Sequence, residues 1–184
     1  SWSEDSKGIY FASLAEGLQG MFEAVCNDGS WKIGRLTGDD MWYDFGSPFH
    51  IVENENGRTL YTTWCSMDFP TELVAVTVAD GPKSSSTGKK ALKAECPVTD
   101  KAVTYKQITN ENKHILDQLA GHETEARYVK TTDGKDMLTW VLYPPQFDKN
   151  KEYPSILICL GGPQGTLSQG WSYRWNYRLM TSQG

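Results

Sequence analysis

Covalent acyl transfer needs a nucleophilic serine or cysteine, a histidine to activate it, and N–H donors for the oxyanion. The chain offers few residues for those roles. Ser155 leads into an apolar run, and Ser168 lies in Thr166-Leu167-Ser168-Gln169-Gly170. Neither sits in the G-x-S-x-G elbow that lifts a serine out of a strand–helix turn, and that motif is absent from the sequence. The histidines are His50, His114 and His122; His114 falls on a short helical stretch, His122 just after its cap, and both read as surface or packing residues. Gly161-Gly162 directly follows the apolar run. Read from the residues alone, the pair is a plain tight turn. Leu160, just before them, has no side-chain donor. Cys26, Cys65, Cys96 and Cys159 show no metal-ligand spacing and read as buried free thiols, with one disulfide as the alternative in an exported protein. No phosphate-cradling glycine loop and no ligand-spaced acidic cluster occurs, so neither a metal nor another cofactor is expected.

Composition bounds the context. The 184 residues amount to one domain or two small ones. Net charge is −5, which disfavours a general nucleic-acid surface. The one basic cluster, Lys83 with Lys89, Lys90 and Lys93, sits among serines and reads as a solvated loop. Mean hydropathy is −0.52, and no apolar run approaches the ~20 residues of a membrane span. The first residues carry no basic or apolar signal region, as in any mature or excised chain. Seven Trp, nine Tyr and 17 Gly lean towards strands joined by tight turns.

Alternation and turn chemistry place strands at 8–14, 20–26, 31–37, 49–53, 59–65 and 72–78, with positive-φ turns at Asn27-Asp28-Gly29 and Asn54-Glu55-Asn56-Gly57. A weak repeat relates Gly8-Ile9-Tyr10 to Gly57-Arg58-Thr59-Leu60-Tyr61, and Asp28-Gly29 to Asp80-Gly81. A period of about 40–50 residues with several short strands suggests propeller blades, with a plain sandwich as rival. Near residue 108 the texture changes. A helix is expected over 109–119, with Thr109 as N-cap, Ile115 and Leu119 on one face and Gly121 closing it. A hairpin follows, 124–130 and 136–143, around Asp133-Gly134. Then comes 155–160, apolar on both faces as in a strand covered by layers on each side. A helix from about 171 to 183 ends the chain, with Trp171, Trp175 and Leu179 at i, i+4 and i+8 and Gly184 as its cap.

Across the second half, an ordered set of segments carries a resemblance: Lys106-Gln107-Ile108-Thr109-Asn110-Glu111-Asn112, 123–130, Asp133-Gly134, Trp140-Val141-Leu142-Tyr143-Pro144-Pro145, Phe147-Asp148, Tyr153-Pro154 and Gly161-Gly162-Pro163. The set resembles the junction in the prolyl oligopeptidase family of serine peptidases, in its bacterial dipeptidyl-peptidase-like branch, where a β-propeller passes into an α/β-hydrolase domain. The likeness is specific over 105–184 and looser over 1–104.

The resemblance implies a mainly β fold with a few helices. Residues 1–104 would be the last blade or blades of the propeller. Residues 105–184 would carry the first strands and first helix of an incomplete α/β-hydrolase domain. It further implies peptide substrates, release of dipeptides from N-termini, a Ser-Asp-His triad beyond this chain, an oxyanion loop to which Gly161 and Gly162 lend backbone N–H groups if they are more than a tight turn, and a periplasmic or secreted location. The chain is then expected to be a piece of a longer enzyme and to catalyse nothing alone. Its two-faced strand would need cover from the last helix, from the blade or from a second copy in a homo-oligomer. The alternative function is a non-catalytic module binding peptide or glycan through Trp31, Trp42, Tyr43 and Trp64, although aromatics at strand positions ordinarily pack in cores.

Overall fold

The computed structural model describes residues 1–38, 40–55, 57–79, 89, 98–162 and 165–183. It is mainly antiparallel β with two short helices. Three strands, β1 (Gly8–Ala15), β2 (Leu18–Asn27) and β3 (Ser30–Arg35), form a meander in that order. Both of its turns have two residues at positive φ: Glu16 (51°) with Gly17 (77°), and Asp28 (48°) with Gly29 (80°). That geometry matches the right-handed twist of the strands it joins. A second sheet holds β4 (Asp44–Phe45), β5 (His50–Asn54), β6 (Gly57–Ser66), β7 (Phe69–Ala79) and β8 (Ala102–Gln107). In it β4 and β5 both pair with β6, and β7 and β8 follow in order. The last pair, β9 (Thr124–Lys130) and β10 (Asp136–Leu142), is a separate hairpin.

The sequence repeat has a structural counterpart. Gly8 opens β1 and Gly57 opens β6, and each starts a three-strand antiparallel meander, β1-β2-β3 and β6-β7-β8. Asp80-Gly81, the second turn of the repeat, lies outside the described residues, as do Cys96, Lys83, Lys90, Lys93, Pro163 and Gly184. The two glycines are not equivalent. Gly57 has φ +120°, and a Cβ on it would stand 2.4 Å from the Val78 carbonyl oxygen, whereas one on Gly8 would meet the Ser3 hydroxyl at 3.2 Å. Gly57→Ala is therefore expected to cost about 2 kcal/mol, because strain and a backbone collision add, and Gly8→Ala much less. Urea midpoints of the two variants check this; equal midpoints would refute it.

The two larger sheets share one core. Tyr10 and Met21 of the first pack with Phe45, Leu60, Trp64, Val74, Val76, Val78 and Val103 of the second. Trp64 is its hub, with the rings of Tyr43, Phe45, Phe69 and Tyr105 all within 6.3 Å of it. Polar ties reinforce the seam: Arg58 donates to the Tyr10 hydroxyl at 2.9 Å, and Lys101 meets buried Glu23 at 2.6 Å. The hairpin docks through a smaller cluster in which Leu18, Trp42 and Ala126 are buried against Leu138 and Trp140.

Three expectations are corrected. The helix over 109–119 shrinks to α1 (Lys113–Leu116). Thr109 does not cap it: its hydroxyl donates to Glu72 and accepts the Leu73 N–H, tying the chain to β7. Gly121 does not close it either, since the C-cap is Asp117. Ile115 and Leu119 remain exposed, so no buried stripe supports a longer helix. The terminal helix is α2 (Tyr177–Thr181), capped by Asn176, whose side chain accepts the Leu179 N–H. Trp171 and Trp175 lie before it, and the stripe through Leu179 does not form. Finally, 155–160 is extended chain paired to no described strand, with Ile156 72% and Leu157 83% exposed. A strand exists only against a partner, and all ten strands described here are paired elsewhere.

Candidate functional site

The region after the unpaired segment holds both the loop glycines and a buried clasp. Gly162 has φ +87°, a region that favours glycine, and accepts a hydrogen bond from the Gly165 N–H at 3.3 Å. A Cβ at Gly161 or Gly162 would meet nothing within 4 Å. Both glycines therefore stand on an open surface, and Gly162 is required by its own backbone angle rather than by a close neighbour.

A few residues later the chain is fastened. Asp44, almost fully buried on β4, accepts the Ser168 hydroxyl on Oδ2 at 2.5 Å. Its Oδ1 accepts the N–H groups of Gln19 at 3.0 Å and Gln169 at 3.3 Å. Burial pushes this carboxyl above its ordinary range, against the pull of the three hydrogen bonds. The Ser168 proton thus faces a structural carboxylate, which makes this serine a fastener. Sequence reading missed Asp44. The signal was there in Tyr43-Asp44-Phe45, a carboxylate flanked by two aromatics, which must either be exposed or be satisfied.

A second knot lies nearby. The His122 side chain is 2% exposed, and its Nε2 lies 3.1 Å from Asp68 Oδ1, without the alignment of a hydrogen bond. Desolvation lowers the His122 pKa; Asp68 opposes the shift, and Arg178 and Lys89 add to it. Arg178 of α2 donates to the backbone carbonyls of Asp68 and Ala120, holding the terminal helix to both. His50 lies on the surface beside Tyr61, and His114 is exposed on α1. No histidine thus comes to Ser168, whose partner is Asp44; Ser155 is exposed in the extended segment.

The aromatics of the binding alternative are mostly structural. Trp42 and Trp64 are buried and Tyr43 packs on the Trp64 ring, while Trp31 is exposed on the edge strand β3 against Trp2. Cys26 and Cys65 are free and half-buried, and Cys159 is free and exposed, which corrects the expectation of buried thiols. Burial raises the Cys65 pKa, so it lacks the thiolate character of a nucleophile. Among the described residues no group of three or more His, Cys, Asp or Glu could hold a metal ion, and no helix is long and apolar enough to cross a membrane.

The chain aligns from end to end, at 40% identity over 184 residues, with a dipeptidyl-peptidase 5 of Porphyromonas gingivalis. Over its whole length the chain is similar in sequence to dipeptidyl-peptidase 5. A protein of the same name from Porphyromonas endodontalis is 38% identical over 176 residues, 96% of the chain. The dipeptidyl-peptidase 5 of Aspergillus fumigatus is 51% identical, but over 49 residues, 27% of the chain and 7% of that protein. The chain spans about a fifth of the length of the two bacterial relatives, 22% and 21%. No family model matches the chain, and no solved structure matches it.

Proposed function

We propose that this chain is part of a serine-type dipeptidyl peptidase of the prolyl oligopeptidase family. In this reading, β1 to β8 belong to the closing blades of a propeller, and the residues beyond β8 belong to the start of an α/β-hydrolase domain. The carrying observation is the 40% identity along the full chain to a dipeptidyl-peptidase 5. The two repeated meanders support the blade assignment. The exposed run Ile156-Leu157-Ile158 supports the second half, because an extended segment apolar on both faces suits the interior of a larger sheet.

Acyl transfer from a peptide needs a nucleophile, a base that takes its proton, and donors for the developing oxyanion. The nucleophile and base, with the aspartate that orients the base, would come from residues outside this chain. Backbone N–H groups at Gly161 and Gly162 are the contribution assigned to it. The substrates would be peptides with free N-termini, cleaved to dipeptides in the periplasm or outside the cell.

The test compares the gene's full product with residues 1–184 alone. The full product is expected to release dipeptides from dipeptidyl-anilide substrates and to be labelled by a fluorophosphonate; the 184-residue chain should do neither. Lack of both activities in the full product would remove the peptidase reading. Stoichiometric labelling of the 184-residue chain, blocked by a substrate-like peptide, would mean that the nucleophile had been placed wrongly, with Ser168 the first residue to check.

A further inference from the structure

Three buried side chains, each with a polar atom that has no hydrogen-bond partner, line one cavity. Trp42, Thr124 and Gln169 line it together with Asp40, Tyr43, Asp68 and Lys89, and its volume is about 30 Å³. Trp42 is 6% exposed, Thr124 8% and Gln169 2%, and the atoms without partners are Trp42 Nε1, Thr124 Oγ1 and Gln169 Nε2. Each comes from a different part of the chain. Trp42 stands just before β4, Thr124 opens β9, and Gln169 belongs to the Asp44 clasp.

We propose that this cavity is a binding site for ordered water, which bridges the stretch before β4 and the β6–β7 turn to the β9–β10 hairpin and the 165–170 segment. Leaving such groups bare costs roughly 1–3 kcal/mol apiece, so three on one cavity call for a shared partner. The volume has room for about two waters. The donor count selects water over an ion. Trp42 Nε1 and Gln169 Nε2 can only donate, and a water oxygen accepts two such bonds. Its own two protons then go to Thr124 Oγ1 and to a carboxylate on the cavity wall, Asp40 or Asp68. An anion would accept from the two N–H groups but meet both carboxylates. A cation would face two N–H donors and the Lys89 ammonium, which lies 5.2 Å from the centre of the Trp42 ring. Water satisfies both kinds of group, and it does so at the seam where the later segments meet the sheets.

The test is a high-resolution crystal structure of the chain, with oxygen-17 relaxation dispersion counting long-lived waters in solution. Density for a water within hydrogen-bond reach of Trp42 Nε1 and Gln169 Nε2 is expected, together with loss of one long-lived water in Thr124→Val. A Gln169 amide turned to pair directly with Asp68, or a chloride or metal ion in the cavity, would overturn the proposal. So would a long-lived water count unchanged between wild type, Thr124→Val and Trp42→Phe. The wild-type density decides even if a variant fails to fold.

Discussion

Arg35→Met is expected to destabilise the chain by about 3–5 kcal/mol, and Arg35→Met combined with Glu16→Asn to recover most of that loss. Arg35 ends β3 with its side chain fully buried, and its Nη1 meets Glu16 Oε2 at 2.5 Å while Nε donates to Thr37 Oγ1 at 3.3 Å. Glu16 is the first residue of the β1–β2 turn, at φ 51°, a position where asparagine or aspartate is at ease and glutamate is not. The ion pair explains that choice: the turn presents a carboxylate to the fully buried guanidinium. Removing the arginine takes from Glu16, whose side chain is only 11% exposed, its partner at 2.5 Å. Removing both charges takes the ion pair out of the buried seam as a unit and leaves an asparagine suited to the turn. Gly20 belongs to the same design, since a Cβ there would come within 2.8 Å of Thr37 Oγ1 and 3.2 Å of Arg35 Nε. A double-mutant cycle in urea measures the coupling. A single Arg35→Met variant within about 1 kcal/mol of wild type would sink the argument.

That pairing was invisible in the sequence because Glu16 and Arg35 look like ordinary polar residues of a turn and a strand. What could be read were features set by local chemistry. Alternation and Asp-Gly turns located β1, β2, β3, β5, β6, β7, β9 and β10 to within a few residues. β8 was legible but unread: Val103 is buried, Tyr105 half-buried, and Thr104 and Lys106 between them are exposed. The failures all lie where an element depends on something distant. The stripe Ile115–Leu119 has helical spacing but no surface to cover, so only one turn of helix remains. The apolar run at 155–160 has strand composition but no described strand beside it. The glycines of the candidate oxyanion loop stood out through their type and place, whereas the clasp that fastens the following segment rests on a contact across 124 residues.

That clasp carries the second large effect. Asp44→Ala is expected to cost about 3–5 kcal/mol, because it leaves the Gln19 N–H, the Gln169 N–H and the Ser168 hydroxyl without their acceptor in a buried place. Asp44→Asn should cost no more than about 1 kcal/mol: its Oδ1 still accepts both N–H groups, and its amide can donate to Ser168 Oγ. Proton linkage separates the two roles of the carboxylate. Burial raises the native pKa of Asp44 above the ordinary 3.8, so the folded state holds that proton more tightly than the unfolded chain. Its contribution is therefore most favourable at low pH and falls as pH rises from 3.8 through the native value, beyond which it is constant. The stability of Asp44→Asn relative to wild type should accordingly rise across that window and then level off. A flat difference would mean that the hydrogen bonds offset burial, and one of opposite sign that they outweigh it and the carboxylate is stabilising as an anion. On the functional reading proposed above, the same residue governs the oxyanion loop indirectly. Gly161 and Gly162 are open on their own, and the chain after them is fastened by the Trp140 Nε1 bond to the Leu167 carbonyl at 3.1 Å and by the Ser168–Asp44 bond. In the full product, Asp44→Ala should lower kcat while Asp44→Asn restores it, an ordering that loss of a substrate contact would not produce.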